Sequence, residues 1–181
     1  MKLSKRMGFN VALGLIVVIA LSTVFLYSPP GKIFRFMLPG IRKERQKKVI
    51  LLSETDHQAL LEACRKLSRE IEQGNLLAPH CYMIRYKPSP EITRFPQVIL
   101  DVDPMFIDTW ADGRIAVGMC GGFHHYGVMA YPENYEKPRD NFKYGDKKII
   151  DGLWYYEDGY NPKYDKWIES LLKKGKRRRE N

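Results

Sequence analysis

From residue 8 to residue 27 the chain runs for twenty residues without a charge, and nothing else in it restricts folding so severely. As a helix rising ~1.5 Å per residue, this stretch reaches about 30 Å, the thickness of a bilayer's hydrocarbon core. A short tail, residues 1–7, precedes it with Lys2, Lys5 and Arg6, and Ser28-Pro29-Pro30-Gly31 breaks the helix after it. A cleaved signal peptide competes, because Ala20-Leu21-Ser22 puts small residues at cleavage positions. The apolar run continues past that point through Val24, Phe25, Leu26 and Tyr27, which a signal peptide does not need. The expectation is therefore a retained, single-pass membrane anchor over residues 8–28. Two rules oppose each other on its orientation. The larger count of Lys and Arg after the span puts the following domain in the cytoplasm, whereas a very short basic tail that stays inside would export it.

Charge sharpens this division. Residues 1–48 carry a net +9 and residues 173–181 a net +5, while residues 49–172 carry −5. A nucleic-acid-binding domain should hold its basic residues on the fold itself, so nucleic acid is disfavoured as a partner. Basic flanks suit anionic lipid headgroups instead. The segments expected are a basic tail (1–7), the anchor (8–28), a basic juxtamembrane linker (29–50), a small domain (51–172) and a basic disordered tail (173–181).

Within the domain, Leu60, Cys64, Leu67 and Ile71 recur at helical spacing, with Glu62, Arg65, Lys66, Arg69, Glu70 and Glu72 opposite them. A helix over 56–73 is expected, capped by Ser53 or Thr55 and closed by Gly74. Strands are expected at 82–86, 105–110, 114–119, 126–131 and 153–157. Ala111-Asp112-Gly113 reads as a hairpin between the second and third of these. Asn161-Pro162 opens a last helix whose apolar side is Tyr164, Trp167, Ile168, Leu171 and Leu172. The fold class is α+β: after the transmembrane helix, a small antiparallel sheet of three to five strands is packed by one long helix, with a C-terminal helix at the end.

Residues 119–131 (Met-Cys-Gly-Gly-Phe-His-His-Tyr-Gly-Val-Met-Ala-Tyr) are the densest window in groups able to do chemistry. Gly118-Met119-Cys120-Gly121-Gly122 matches a nucleophile elbow with cysteine for serine, and His124 or His125 could generate the thiolate. The context is wrong, because the residues after the cysteine read as strand and not helix, so the glycines are read as a bulge or tight turn. Cys120, His124 and His125 could ligate a metal with help from His80-Cys81, but the spacing matches no recurring zinc set. Asp101, Asp103, Asp108 and Asp112 lack the glycine and terminal glutamate of a calcium loop. No metal and no cofactor is expected. In the alternating frame Phe123, His125, Gly127, Met129 and Tyr131 share one face, and His124, Tyr126, Val128 and Ala130 the other. His124 and Tyr126 are taken as the polar lining of any ligand pocket.

The preferred functional expectation is a membrane-anchored, non-catalytic binding or interaction module, with a protein partner left open. The alternative is a small membrane-tethered cysteine- or metal-dependent hydrolase using Cys120 with His124 or His125.

Overall fold

The computed structural model describes residues 18, 40, 42–85, 90–121, 124–133, 135, 146–158 and 162–180. The chain divides into two compact units, Met1–Lys43 and Glu44–Asn181. In the first, the described residues Val18, Gly40, Arg42 and Lys43 are helical. Among the described residues no helix is long and apolar enough to cross a membrane. Apart from Val18, the expected span 8–28 lies outside them.

The second unit is an α+β fold. It begins with α1 (residues 44–49), which runs on as a π-helical turn over Ile50–Glu54. Next come α2 (His57–Glu72), β1 (His80–Met83), a 3-10 turn at Pro90–Arg94 and α3 (Gln97–Leu100). The chain continues through β2 (Phe106–Thr109), β3 (Ile115–Gly121), β4 (His124–Ala130), β5 (Lys147–Ile150), β6 (Leu153–Glu157) and α4 (Pro162–Glu180). The six strands form one antiparallel sheet in the order β1-β2-β3-β4-β6-β5.

The sheet is thus one strand larger than expected, because Lys147–Ile150 pairs as an edge beside β6. Its charged start, Lys147-Lys148, hides the alternation that marks a strand. Two boundaries also move. Residues assigned to the juxtamembrane linker belong to the fold, since Lys48 is buried and Leu51 and Leu52, just past it, are 0% exposed in the core. Likewise, the basic run expected as a disordered tail continues α4 to Glu180. Gly175 explains how: a Cβ there would lie 2.5 Å from the Leu52 carbonyl oxygen, so glycine lets α4 lie directly on the π turn.

The apolar stripe of α2 behaves as its spacing demands. Leu60, Leu61, Cys64 and Leu67 are buried against Ile107, Ile115, Val117, Val128 and Leu153 of the sheet, together with Ile168 and Leu171 of α4. The cap differs from expectation. Asp56 takes it, its carboxylate accepting from the Gln58 and Ala59 N–H groups at 3.0 and 3.1 Å. Ser53 and Thr55 are already engaged, their hydroxyls donating to the Val49 and Ile50 carbonyls of the preceding turn. Gly74 (φ 72°) closes α2 and Gly113 (φ 80°) turns the β2–β3 hairpin, both in the left-handed region that favours glycine.

Candidate functional site

Cross-strand partners share a face of a sheet, so the registers sort the side chains into two sets. Tyr82, Ile107, Val117, Val128 and Tyr155 form one row on the side packed by helices. Cys81, Asp108, Ala116, Met129, Trp154 and Lys148 form the adjacent row on the opposite side. That side carries its own apolar cluster, Ala116, Met129 and Tyr131, packed by Trp110, Trp154 and Tyr156. Among the described residues no helix covers it.

Two glycines shape this helix-free face. A Cβ on Gly118 would lie 2.1 Å from the Phe106 ring, and one on Gly127 would lie 2.9 Å from the Tyr156 hydroxyl and 2.2 Å from the Val117 carbonyl oxygen. The rings of Phe106 and Tyr156 therefore lie down on bare backbone where side chains would otherwise stand. Burial pushes the Tyr156 hydroxyl well above the usual phenol range, and the carboxylates of Asp108, Asp158 and Asp146 add to it. It is a donor at every ordinary pH. Asp146 is itself raised to about 6, by burial first and then by Asp158.

His125 stands at the end of this face. Its Nδ1 is 3.4 Å from Asp158 Oδ2, and the Asp158 N–H donates to the His125 carbonyl at 2.7 Å. The Phe106 ring meets the imidazole edge-on, centroids 6.1 Å apart. Cys120 is the Cα partner of His125 in the β3–β4 ladder. The two therefore sit at paired positions on neighbouring strands, and Asp158 lies beside the histidine. His124 pairs with Gly121 at the closed end of the same hairpin. The side chains of Cys120 and His124 lie outside the described residues.

Tyr126 lies on the other side of β4 and is 0% exposed. It lines no opening, because alternation along β4 turns it under α1. There its ring carries the Lys48 ammonium 4.6 Å from the centroid, and its hydroxyl donates to the Glu44 carbonyl at 3.5 Å. Lys48 is paired with Glu44 at 3.0 Å and Glu157 at 2.6 Å, and Tyr155 donates to the second Glu157 oxygen at 2.6 Å. Burial and that carboxylate push the Tyr155 hydroxyl far above its ordinary range. This network fastens α1 to β4 and β6, and no periodicity announces it.

His80 and Cys81 do not join the Cys120 set. Cys81 aligns with Asp108 and Ala116, four residues along β3 from Cys120, or about 13 Å at strand rise. Partial burial and the Asp108 carboxylate raise the Cys81 thiol to about 11, and burial raises Cys64 to about 12. Among the described residues no group of three or more His, Cys, Asp or Glu is placed to hold a metal ion. Asp158 and Phe106 carry no signal in the sequence, since only the β4–β6 and β2–β3 pairings bring them to His125.

No protein-family model matches the chain, and neither a curated protein nor a solved structure matches it.

Proposed function

We propose that the chain is a single-pass, membrane-anchored binding module. Residues 8–28 hold it in the bilayer, and the α+β unit meets its partner through the helix-free face of the sheet without catalysing a reaction. The observation that carries this reading is the finish of that face. Phe106, Trp110, Trp154 and Tyr156 lie there half-buried, with His125 exposed at the edge, whereas the opposite face is filled by helices. Rigid aromatic area bordered by polar groups is what recognition surfaces use. A protein partner suits this surface.

The basic flanks divide in this reading. Arg45 lies over the Trp167 ring, Lys47 bonds the Asp103 carbonyl at 2.9 Å, and Lys48 is buried. Among the described residues, the exposed cations that suit anionic headgroups include Arg42, Lys43, Lys173, Lys174, Arg177 and Arg178.

Alkaline carbonate extraction of membranes tests the anchor: the full chain should stay in the pellet and a variant lacking residues 8–28 should leave it. Release of the full chain would overturn the anchored reading. One observation favours a second reading, cysteine-dependent hydrolysis: Cys120 pairs with a histidine whose Nδ1 faces a carboxylate, the order of nucleophile, base and orienting group. A broad hydrolase panel separates the two. No turnover is expected, and turnover that disappears in Cys120→Ser would establish the hydrolase.

A further inference from the structure

At the opposite end of the helix-free face from His125, a cleft of about 310 Å³ opens between α2, the end of β4 and the β5–β6 turn. Tyr131, Tyr135 and Trp154 line it beside Lys148, Glu133 and Asp151, with Arg65 contributed by α2. Tyr131 and Tyr135 lie with ring centroids 5.1 Å apart. The guanidinium is held close to the β5–β6 turn because Gly152 has no side chain. A Cβ there would lie 2.9 Å from Nη2, and the residue's φ of 86° suits glycine alone.

Arg65 is poorly matched within its own chain. Nε is buried and has no acceptor among the described residues. The nearest carboxylate, Glu133 Oε1, is 3.9 Å from Nη1, beyond hydrogen-bond reach, and its side chain is 63% exposed. Glu133 is also shared with Arg69 at 3.8 Å. The other acid at the rim, Asp151, is 95% exposed and paired with Lys148. A guanidinium offers five donors in a planar fork, and with Nε sealed from solvent the two Nη ends remain for a ligand. Flat rings on the walls and one fork at the base describe a ligand that is planar, apolar and singly anionic.

We propose that this cleft binds a small aromatic carboxylate, its two oxygens on the Arg65 fork and its ring between Trp154 and the paired tyrosines. The proposal deepens the binding reading and assigns a ligand class to one end of the same face. It is independent of the anchor, which the carbonate extraction tests separately. A phosphate group alone would gain the charge contact and leave the aromatic walls unused.

The test is a titration of the detergent-solubilised full chain, followed by NMR of the Trp154 indole and Arg65 Nε–H signals. The probes are sodium benzoate, benzyl alcohol and inorganic phosphate. Benzoate should shift both signals saturably, with a dissociation constant of roughly 1 mM or tighter. Benzyl alcohol and phosphate should bind at least about tenfold more weakly. Arg65→Gln should abolish saturation. Arg65→Lys, which keeps the charge and the packing stem, should weaken benzoate several-fold and so separates loss of the fork from loss of the fold. The proposal is overturned by the absence of saturable benzoate binding, by equal binding of benzyl alcohol or phosphate, or by binding unchanged in both Arg65 variants.

Discussion

Along β4, Tyr126, Val128 and Ala130 turn toward the helices and are at most 2% exposed, while His125, Gly127 and Met129 turn the other way. The first set is fastened by what covers it. α1 brings Lys48 between Glu44 and Glu157, and α2 and α4 fill the remaining volume with leucine and isoleucine. The second set is finished by the sheet itself, with rings laid over glycines and carboxylates gathered round Tyr156. One strand thus supplies the helix-covered core with one row of side chains and, in the reading proposed above, a binding surface with the other. Substitutions on the two sides should fail differently.

The largest effect belongs to the covered side. Lys48→Met strands Glu44 and Glu157 beside a buried ring, and breaking one partner of a buried ion pair costs about 3–5 kcal/mol. Urea unfolding should show that loss. A loss below about 1 kcal/mol would mean that the network does not secure α1.

On the helix-free side, Gly118→Ala drives a methyl group into the Phe106 ring and should cost about 1–3 kcal/mol. In the double variant with Phe106→Ala, the glycine substitution should cost little, because the clash is gone. Equal costs in both backgrounds would show that backbone freedom, not the ring, demands glycine there.

The smallest expected effect depends on pH. Asp146 has a folded pKa of about 6 against an ordinary 3.8, so the folded state holds its proton more tightly than the unfolded chain. Its contribution to stability is fully present below about pH 4 and is lost as the pH rises through 6. Asp146→Asn should therefore be more stable than the parent at pH 7, by about 1 kcal/mol once solvent screening of this half-buried group is allowed for. The two should converge below pH 4. Melting curves at pH 3.5 and 7 measure this.

Much of the fold was legible because its signals are local. The α2 stripe, the Gly74 stop, the Asp112-Gly113 hairpin and the alternation through β4 each need only a few neighbouring residues. What escaped depends on partners far along the chain. Lys48 looks like one more juxtamembrane cation until Glu157, more than a hundred residues away, pairs with it. Arg65 sits on the charged side of an amphipathic helix, and only the β5–β6 turn makes it a cleft residue. In the densest window the facing pattern was readable and the assignment of Tyr126 to a pocket was not. Alternation says which residues share a side, but which side the helices take is decided by α1 and α2.

The central claim, that the helix-free face binds without catalysing, is tested most directly at Cys120. Alkylation by iodoacetamide can be followed from pH 5 to 9, with each cysteine resolved by mass spectrometry. Cys64 and Cys81, raised to about 12 and about 11, stay nearly silent over this range, so the early signal is that of Cys120. If the face does not catalyse, the Cys120 rate rises steadily with pH across this range and is unchanged in His125→Ala. A rate already at its plateau below pH 7, and collapsing in His125→Ala, would reveal a histidine-activated thiolate and contradict the claim.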